Sequence, residues 1–287
     1  MRSNNPGPSP ARGRGRPNLA ILLVPLLLMT VSFLFWYRTW FGRPLSNQQM
    51  AECLADTSVP HKTQHALAQI GDRIARGDKS VSAWYPQVLA LAGSAQPQFR
   101  LTAAWVMGQD TTSAEFHQAL RKLLLDSDPA VRLNAALALV RFQDAAGGPE
   151  LRLMLHPFTV RAPLPGTVKF LVKRGDSIGA SSIVARINNA APKPHEVSTS
   201  LGGEVKDLLA PDGTTVSADA PLLVLSPGTD QAWECLRGLY FVGRAQDVGE
   251  IESFLNHTPR LPERVKQQAE STIQAIRNRT TLQQTQR

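Results

Sequence analysis

The sequence predicts a multidomain α plus β chain in which a single transmembrane helix precedes an α-solenoid interrupted by one β-domain. Three observations carry that expectation. Leu19–Tyr37 is an apolar run without a charge. Two segments, "PQFRLTAAWVMGQD" at 97–110 and "PAVRLNAALALVRFQD" at 129–144, align at an offset of 32. Between two helical parts, residues 158–187 and 196–228 repeat one another in the spacing of their Gly, Val and Ala residues.

The first 18 residues are rich in Pro, Gly, Ser and Arg. Such a stretch buries too little apolar surface to order itself, so 1–18 reads as a disordered cytoplasmic tail. As a helix, 19–37 would reach roughly 28 Å, close to the hydrocarbon thickness of a bilayer. Trp36, Tyr37, Trp40 and Phe41, with Arg38 and Arg43 beside them, would sit at one interface. The competing reading is a cleaved signal peptide, but "YRTWFGRP" offers no A-x-A-like site, so an uncleaved anchor is expected. Four arginines precede the run and two follow closely. The positive-inside rule then puts the N-terminus in the cytoplasm and everything from about residue 44 outside it. The expected location is a bacterial inner membrane, with the bilayer a partner through 19–37.

The net charge of +8 comes mostly from this N-terminal region. Six arginines precede Glu52, all 23 acidic residues lie at or after it, and 25 basic residues face them there. With no basic stripe interleaved with aromatics, nucleic-acid binding is not expected. Cys53 and Cys235 lie far apart in sequence and could either pair or remain free thiols. His61 and His65 are four apart and could share a helix face, but no third ligand lies near them. No C-x-x-C or H-E-x-x-H occurs, so no metal site is expected. P-loop, G-x-S-x-G and dinucleotide-binding patterns are also missing from the folded part. His195 and Glu196 beside Lys193 fall in a polar turn that lacks preorganisation. No catalytic residue and no cofactor is therefore expected, and the chain reads as a non-enzyme.

Helical organisation covers 44–156 and resumes at 229–279. Pro97 and Pro129 each open a helix with small and apolar residues at helical spacing. Each such helix is preceded by another, at 82–95 and 113–128, and 62–77 reads as an earlier one. Helix, short turn, helix at a period of about 32 is the unit of a solenoid. After the β-region, 233–242 reads as a second-type helix, 247–255 as a first and 262–278 as a second, with 280–287 a disordered tail. "DSDPAVRLNAALALVRFQD" resembles the HEAT repeat, with its Asp-Pro turn, Val-Arg and paired Ala. That resemblance implies a concave surface for proteins or peptides, with Arg100 and Arg132 bracing neighbouring turns.

In the β-region, 157–228, Gly166-x-Val168 corresponds to Gly203-x-Val205, Gly175 to Gly213 and Val184 to Leu222. Runs such as "TVKFLV", "IVARI" and "PLLVL" between Gly, Pro and Asp read as strands, giving two four-strand halves that can interlock. "RAPLPGTVKFLVKRGD" resembles the biotinyl/lipoyl domain and the barrel-sandwich hybrid of membrane-fusion adaptor proteins. In cofactor-bearing members the hairpin joining the halves presents a lysine, usually in an Ala-Met-Lys-Met or Asp-Lys-Ala setting. Here "INNAAPKPHEV" joins the halves, and counting inward places that position at Ala191 or Pro192. Lys193, between Pro192 and Pro194, reads as a solvated loop lysine. The expected function is a non-catalytic, membrane-anchored scaffold or adaptor for protein partners outside the cytoplasm, possible contexts being an exporter or envelope complex. The alternative is a biotin or lipoyl carrier modified at Lys193.

Overall fold

The structure is a computed structural model and describes residues 25–33, 44–258 and 261–285, with the backbone alone at Gln283. The chain divides into two compact units, Met1–Gln48 and Gln49–Arg287. In the first, 25–33 form helix α1, whose Leu26, Leu27, Leu28, Met29, Val31 and Phe33 are exposed. The nine described helical residues rise roughly 14 Å, about half a bilayer core. No helix among the described residues is long and apolar enough to cross a membrane. The expected spanning helix at 19–37 is therefore corrected, because an uncharged run fixes hydropathy and the described helical residues within it are too few to span a bilayer core. The bilayer partner, the inward N-terminus and the inner-membrane location rested on that span and are withdrawn with it. Residues 19–24 and 34–37 of the expected span, and the expected tail 1–18, lie outside the described residues.

The second unit is built of helix pairs and two β-sheets. Helices α2 (Asn47–Ala55) and α3 (Pro60–Ala75) come first. A 3-10 turn leads into α4 (Tyr85–Ala92), followed by α5 (Pro97–Met107), α6 (Ala114–Leu123) and α7 (Pro129–Arg141). The offset of 32 appears directly in the packing. Phe99, Ala103, Ala104 and Met107 of α5 are buried, as are their counterparts Val131, Ala135, Ala136 and Leu139 of α7. Small residues let the elements approach closely, since a Cβ added at Gly108 would lie 2.8 Å from the Ala138 Cβ and one at Gly147 would lie 2.8 Å from the Ala136 Cα.

Helix α8 (Gly148–Leu153) begins another pair, but the chain then leaves for the β-sheets and returns as α9 (Thr229–Val242). Helix α9 packs against both α7 and α8, as the second helix of the interrupted pair. The last pair is α10 (Asp247–His257) and α11 (Glu263–Thr285), with α11 packed along α9. The second helices α3, α5, α7, α9 and α11 thus lie side by side across the interruption. The expected tail at 280–287 is corrected up to Thr285, because α11 continues through it. Thr280, Thr281 and Thr285 return their hydroxyls to carbonyls four residues back.

The interruption holds strands β1 (Phe158–Arg161), β2 (Gly166–Phe170), β3 (Ser177–Ile178) and β4 (Ile183–Asn188), then β5 (His195–Ser198), β6 (Gly203–Leu208), β7 (Thr215–Val216) and β8 (Pro221–Pro227). They form two antiparallel sheets ordered β1-β8-β6-β3 and β5-β4-β2-β7. Each sheet takes two strands from each half, and exchanging β1–β4 for β5–β8 converts one order into the other. The halves are stitched by matching backbone bonds. Gly175 donates to Val205 and Gly213 to Val168, both at 2.8 Å, while Val205 and Val168 donate back to Asp176 and Thr214. Both turn glycines have left-handed φ, at 88° and 79°, which a side chain would strain. Val168, Val184, Ile187, Val205, Leu222 and Leu225 form the shared core.

The first residue of each G-x-V explains itself by close approach. A Cβ at Gly166 would stand 2.4 Å from the Asn188 carbonyl oxygen, and one at Gly203 would stand 2.1 Å from that of Ser226. Gly203→Val should therefore lower the unfolding free energy by about 1–3 kcal/mol through overpacking, measured by urea denaturation. A wild-type midpoint would contradict this packing.

Candidate functional site

The candidate site is the face along α5, α7 and α9, and its shape depends on how the turns hold those helices. Arg100 of α5 donates from Nε and Nη2 to the two carboxylate oxygens of Asp126, each at 2.7 Å. Its Nη1 donates to the Ser94 and Ala95 carbonyls. Thirty-two residues on, Arg132 repeats the arrangement. It donates to Glu150 at 2.8 Å and to the carbonyls of Asp126 and Ser127. Both arginines brace their own turn and the next pair, as the sequence predicts. The Arg100 guanidinium holds the Asp126 carboxyl below its ordinary value, outweighing the partial burial that raises it.

The exit of each second helix carries a matching device. Asp110 accepts from the Thr112 amide and from the Tyr85 hydroxyl. Asp144 accepts from the Ala146 amide at 2.9 Å, from His117 Nε2 at 2.7 Å and from Arg121 Nε at 2.6 Å. Tyr85 and His117 occupy the same place in successive repeats. The His117 ring also stacks on Phe142, 4.9 Å between centroids. Burial pushes the Asp144 carboxyl up, but the bonds from Arg121, Ala146 and His117 prevail and hold its pKa at about 2.

These braces leave a groove of about 960 Å³ lined by α5, α7, α9, the turn after α9 and Arg279 of α11. Trp105 and Leu137, at equivalent repeat positions, lie on its wall, as do Gln109 and Arg141. Trp105 is 38% exposed and Phe241 is 60% exposed, large values for such side chains in a packed array. Arg237 is shared with Glu234 at 3.6 Å, and Arg279 donates to the carbonyls of Tyr240 and Gly243. Sequence reasoning missed these groove residues. The repeat carries only part of the signal, in Trp105 and Arg141 beside the buried positions of α5 and α7.

The other sequence candidates are dispersed. Lys193 is exposed on the loop between β4 and β5. Ile187 pairs with His195, so the centre of that hairpin is Ala191, and Lys193 lies two residues toward β5. The Ala191 amide donates to the Asn189 side chain at 2.9 Å, closing the turn locally. The central residue is thus an alanine, with Pro192 between it and Lys193. Glu196 meets Arg186 at 3.1 Å, and His65 meets Gln69. Cys53 and Cys235 are free thiols, and Cys235 is buried, which pushes its pKa up. Among the described residues no group of three or more His, Cys, Asp or Glu is arranged to hold a metal ion.

Comparison with known proteins agrees with the helical packing. A family model for HEAT repeats matches residues 85–162. That interval opens at α4 and closes at the end of β1. HEAT repeats are interaction scaffolds that imply protein partners in general and are typically non-catalytic. A second likeness is to the chloroplastic biotin carboxyl carrier protein of acetyl-CoA carboxylase 2 from Arabidopsis thaliana, 37% identical over 79 residues. The match covers 28% of this chain and 30% of that protein, so the chain spans under a third of its curated relative.

The braces make two predictions. Asp126→Ala should destabilise the array by about 2–3 kcal/mol, less than the full penalty for a buried pair because Arg100 retains two carbonyls. A double-mutant cycle with Arg100→Ala should show coupling, and additive costs would contradict the brace. Asp144 has a depressed pKa, so its contribution is fully present above the ordinary carboxylate value of 3.8 and is lost as pH falls toward about 2. The stability advantage of wild type over Asp144→Asn should accordingly shrink through that window, followed by acid unfolding monitored by circular dichroism.

Proposed function

We propose that the protein is a non-catalytic scaffold that binds a protein partner along the helical array, with the β-domain held beside that surface as a second contact. The observation that carries this reading is the continuity of α5, α7, α9 and α11 around the interruption, which keeps one open face despite the inserted sheets. The HEAT-repeat match supports it, since that family offers surface area to proteins. The β-domain is anchored to the array. Ser200 donates to Asp128 at 3.0 Å, and Leu201 joins Ala130 and Leu133 in the core around α9. Partner binding to both elements therefore meets a preset geometry, which lowers the ordering cost of association.

A second reading, a carrier modified at Lys193, draws on the likeness to a biotin carboxyl carrier protein and on the exposure of that lysine. The offset of Lys193 from the hairpin centre and the flanking Pro192 and Pro194 oppose it.

Cross-linking mass spectrometry of the affinity-tagged chain tests the first reading. The expected result is a partner cross-linked both to helical lysines such as Lys122 and to β-domain lysines such as Lys169. Recovery of the bare chain at mock levels of every other protein would reject the scaffold. Intact mass after co-expression with biotin and lipoyl ligases addresses the second, and an unmodified chain is expected.

A further inference from the structure

The groove along α5, α7 and α9 has a definite chemistry. Four arginines line it, Arg141, Arg237, Arg244 and Arg279, against one acid, Glu234. The surrounding chain is nearly neutral, with 25 basic and 23 acidic residues from Glu52 onward, so this imbalance is local. Two of the four are already engaged. Arg237 lies beside Glu234 and over the Trp233 ring at 5.4 Å, and Arg279 caps the end of α9 through two carbonyls. Arg141 and Arg244 are exposed and face the groove with no described side-chain partner. Beside them stand the apolar faces of Trp105 and Phe241, with Tyr240 edge-on to Phe241 at 5.2 Å between centroids. A desolvating aromatic wall next to uncompensated guanidinium groups suits a ligand that combines an apolar side chain with carboxylates.

We propose that this groove takes an extended acidic peptide segment of a partner protein, with an aromatic or aliphatic side chain against Trp105 and Phe241 and carboxylates on Arg141 and Arg244. The inference rests on the scaffold reading and adds the chemistry of the partner. A segment of this chain is the wrong occupant, since every Asp and Glu of the sequence falls among the described residues and the remaining segments carry none. A nucleic-acid strand also fits poorly, because two unpaired arginines neutralise too few phosphates for a salt-dependent backbone contact. Aromatic and arginine side chains are the usual energetic centres of protein interfaces, which places most of the affinity on these four residues.

Short random peptides displayed on phage, selected in parallel on wild type and on the double variant Arg141→Glu/Arg244→Glu, test the proposal. Neither arginine braces the fold, and circular dichroism and thermal melts check that the variant is folded. Wild type should enrich peptides that combine Asp or Glu with an aromatic or large aliphatic residue. Synthetic versions should bind at least about 10-fold more weakly to the double variant and to Phe241→Ser, and more weakly at high salt. Peptides that bind the variants equally well would overturn the groove while leaving the scaffold reading intact. No enrichment over the variant would overturn it as well, and the cross-linking result then decides the scaffold separately. Tighter, arginine-dependent binding of a mixed-sequence single-stranded oligonucleotide would replace the peptide with nucleic acid. Concentration-dependent dimerisation that Phe241→Ser abolishes, read by sedimentation, would assign the face to a second copy of the chain.

Discussion

The turn from Asp126 to Pro129 is where the second unit is tied together. Asp126 takes the forked guanidinium of Arg100 from the preceding pair, and its carbonyl takes Arg132 from the following helix. Two residues later Asp128 caps α7 through the Ala130 amide and accepts Ser200 from the β-domain. Three structural neighbours thus converge on four residues. A carboxylate that is only 7% exposed can be ionised here because its partner arginine is bidentate and similarly sheltered, at 14%. Loss of either charge leaves the other sheltered from water without its counter-charge, Arg100 keeping only the Ser94 and Ala95 carbonyls and Asp126 only the Asp128 amide, which is why the spacing of helices on both sides depends on this turn.

The two modules solve the same problem by different means. The helical array repeats one unit and spaces it with buried alanines and charged turns. The β-domain also repeats a unit, but each half completes the other's sheets instead of adding a layer. Its valine–glycine backbone bonds are therefore internal to the pair of halves, and neither half has a closed core without its counterpart. The array remains open at its long face, and that openness is what leaves Trp105, Arg141 and Phe241 accessible.

Much of this could be read from the residues. The offset of 32 foretold that α5 and α7 are equivalent helices, and their matched positions are buried alike, while the bracing by Arg100 and Arg132 was an implication of the HEAT resemblance. The half-repeat of the β-region was legible for a similar reason, since Gly166 and Gly203 each fill a place where a carbonyl leaves no room for a Cβ. The apolar run at 19–37 misled, since no helix among the described residues is long and apolar enough to cross a membrane. The expected tail at 280–287 erred in the opposite direction, since α11 runs on through Thr285 with three threonine hydroxyls bonded back along it. The groove was hidden because its lining comes from α5, α7, α9 and α11, two of them beyond the β-domain, and no local window brings these together. The position of Lys193 beside the hairpin centre was legible by counting, and strand pairing places it two residues from Ala191.

The way the β-domain leaves and re-enters the array has a consequence for assembly. Phe158 of its first strand pairs with Leu225 of its last, so the chain departs from α8 and returns to α9 at nearly one place. For the nascent array, α9 is a distant segment until those strands meet, and a very near one afterwards. Closing a loop of about 70 residues instead of a few costs about 2 kcal/mol more in chain entropy. A folded β-domain meets that cost in advance, so it acts as an entropic clasp that delivers the C-terminal helices to their seat on α7.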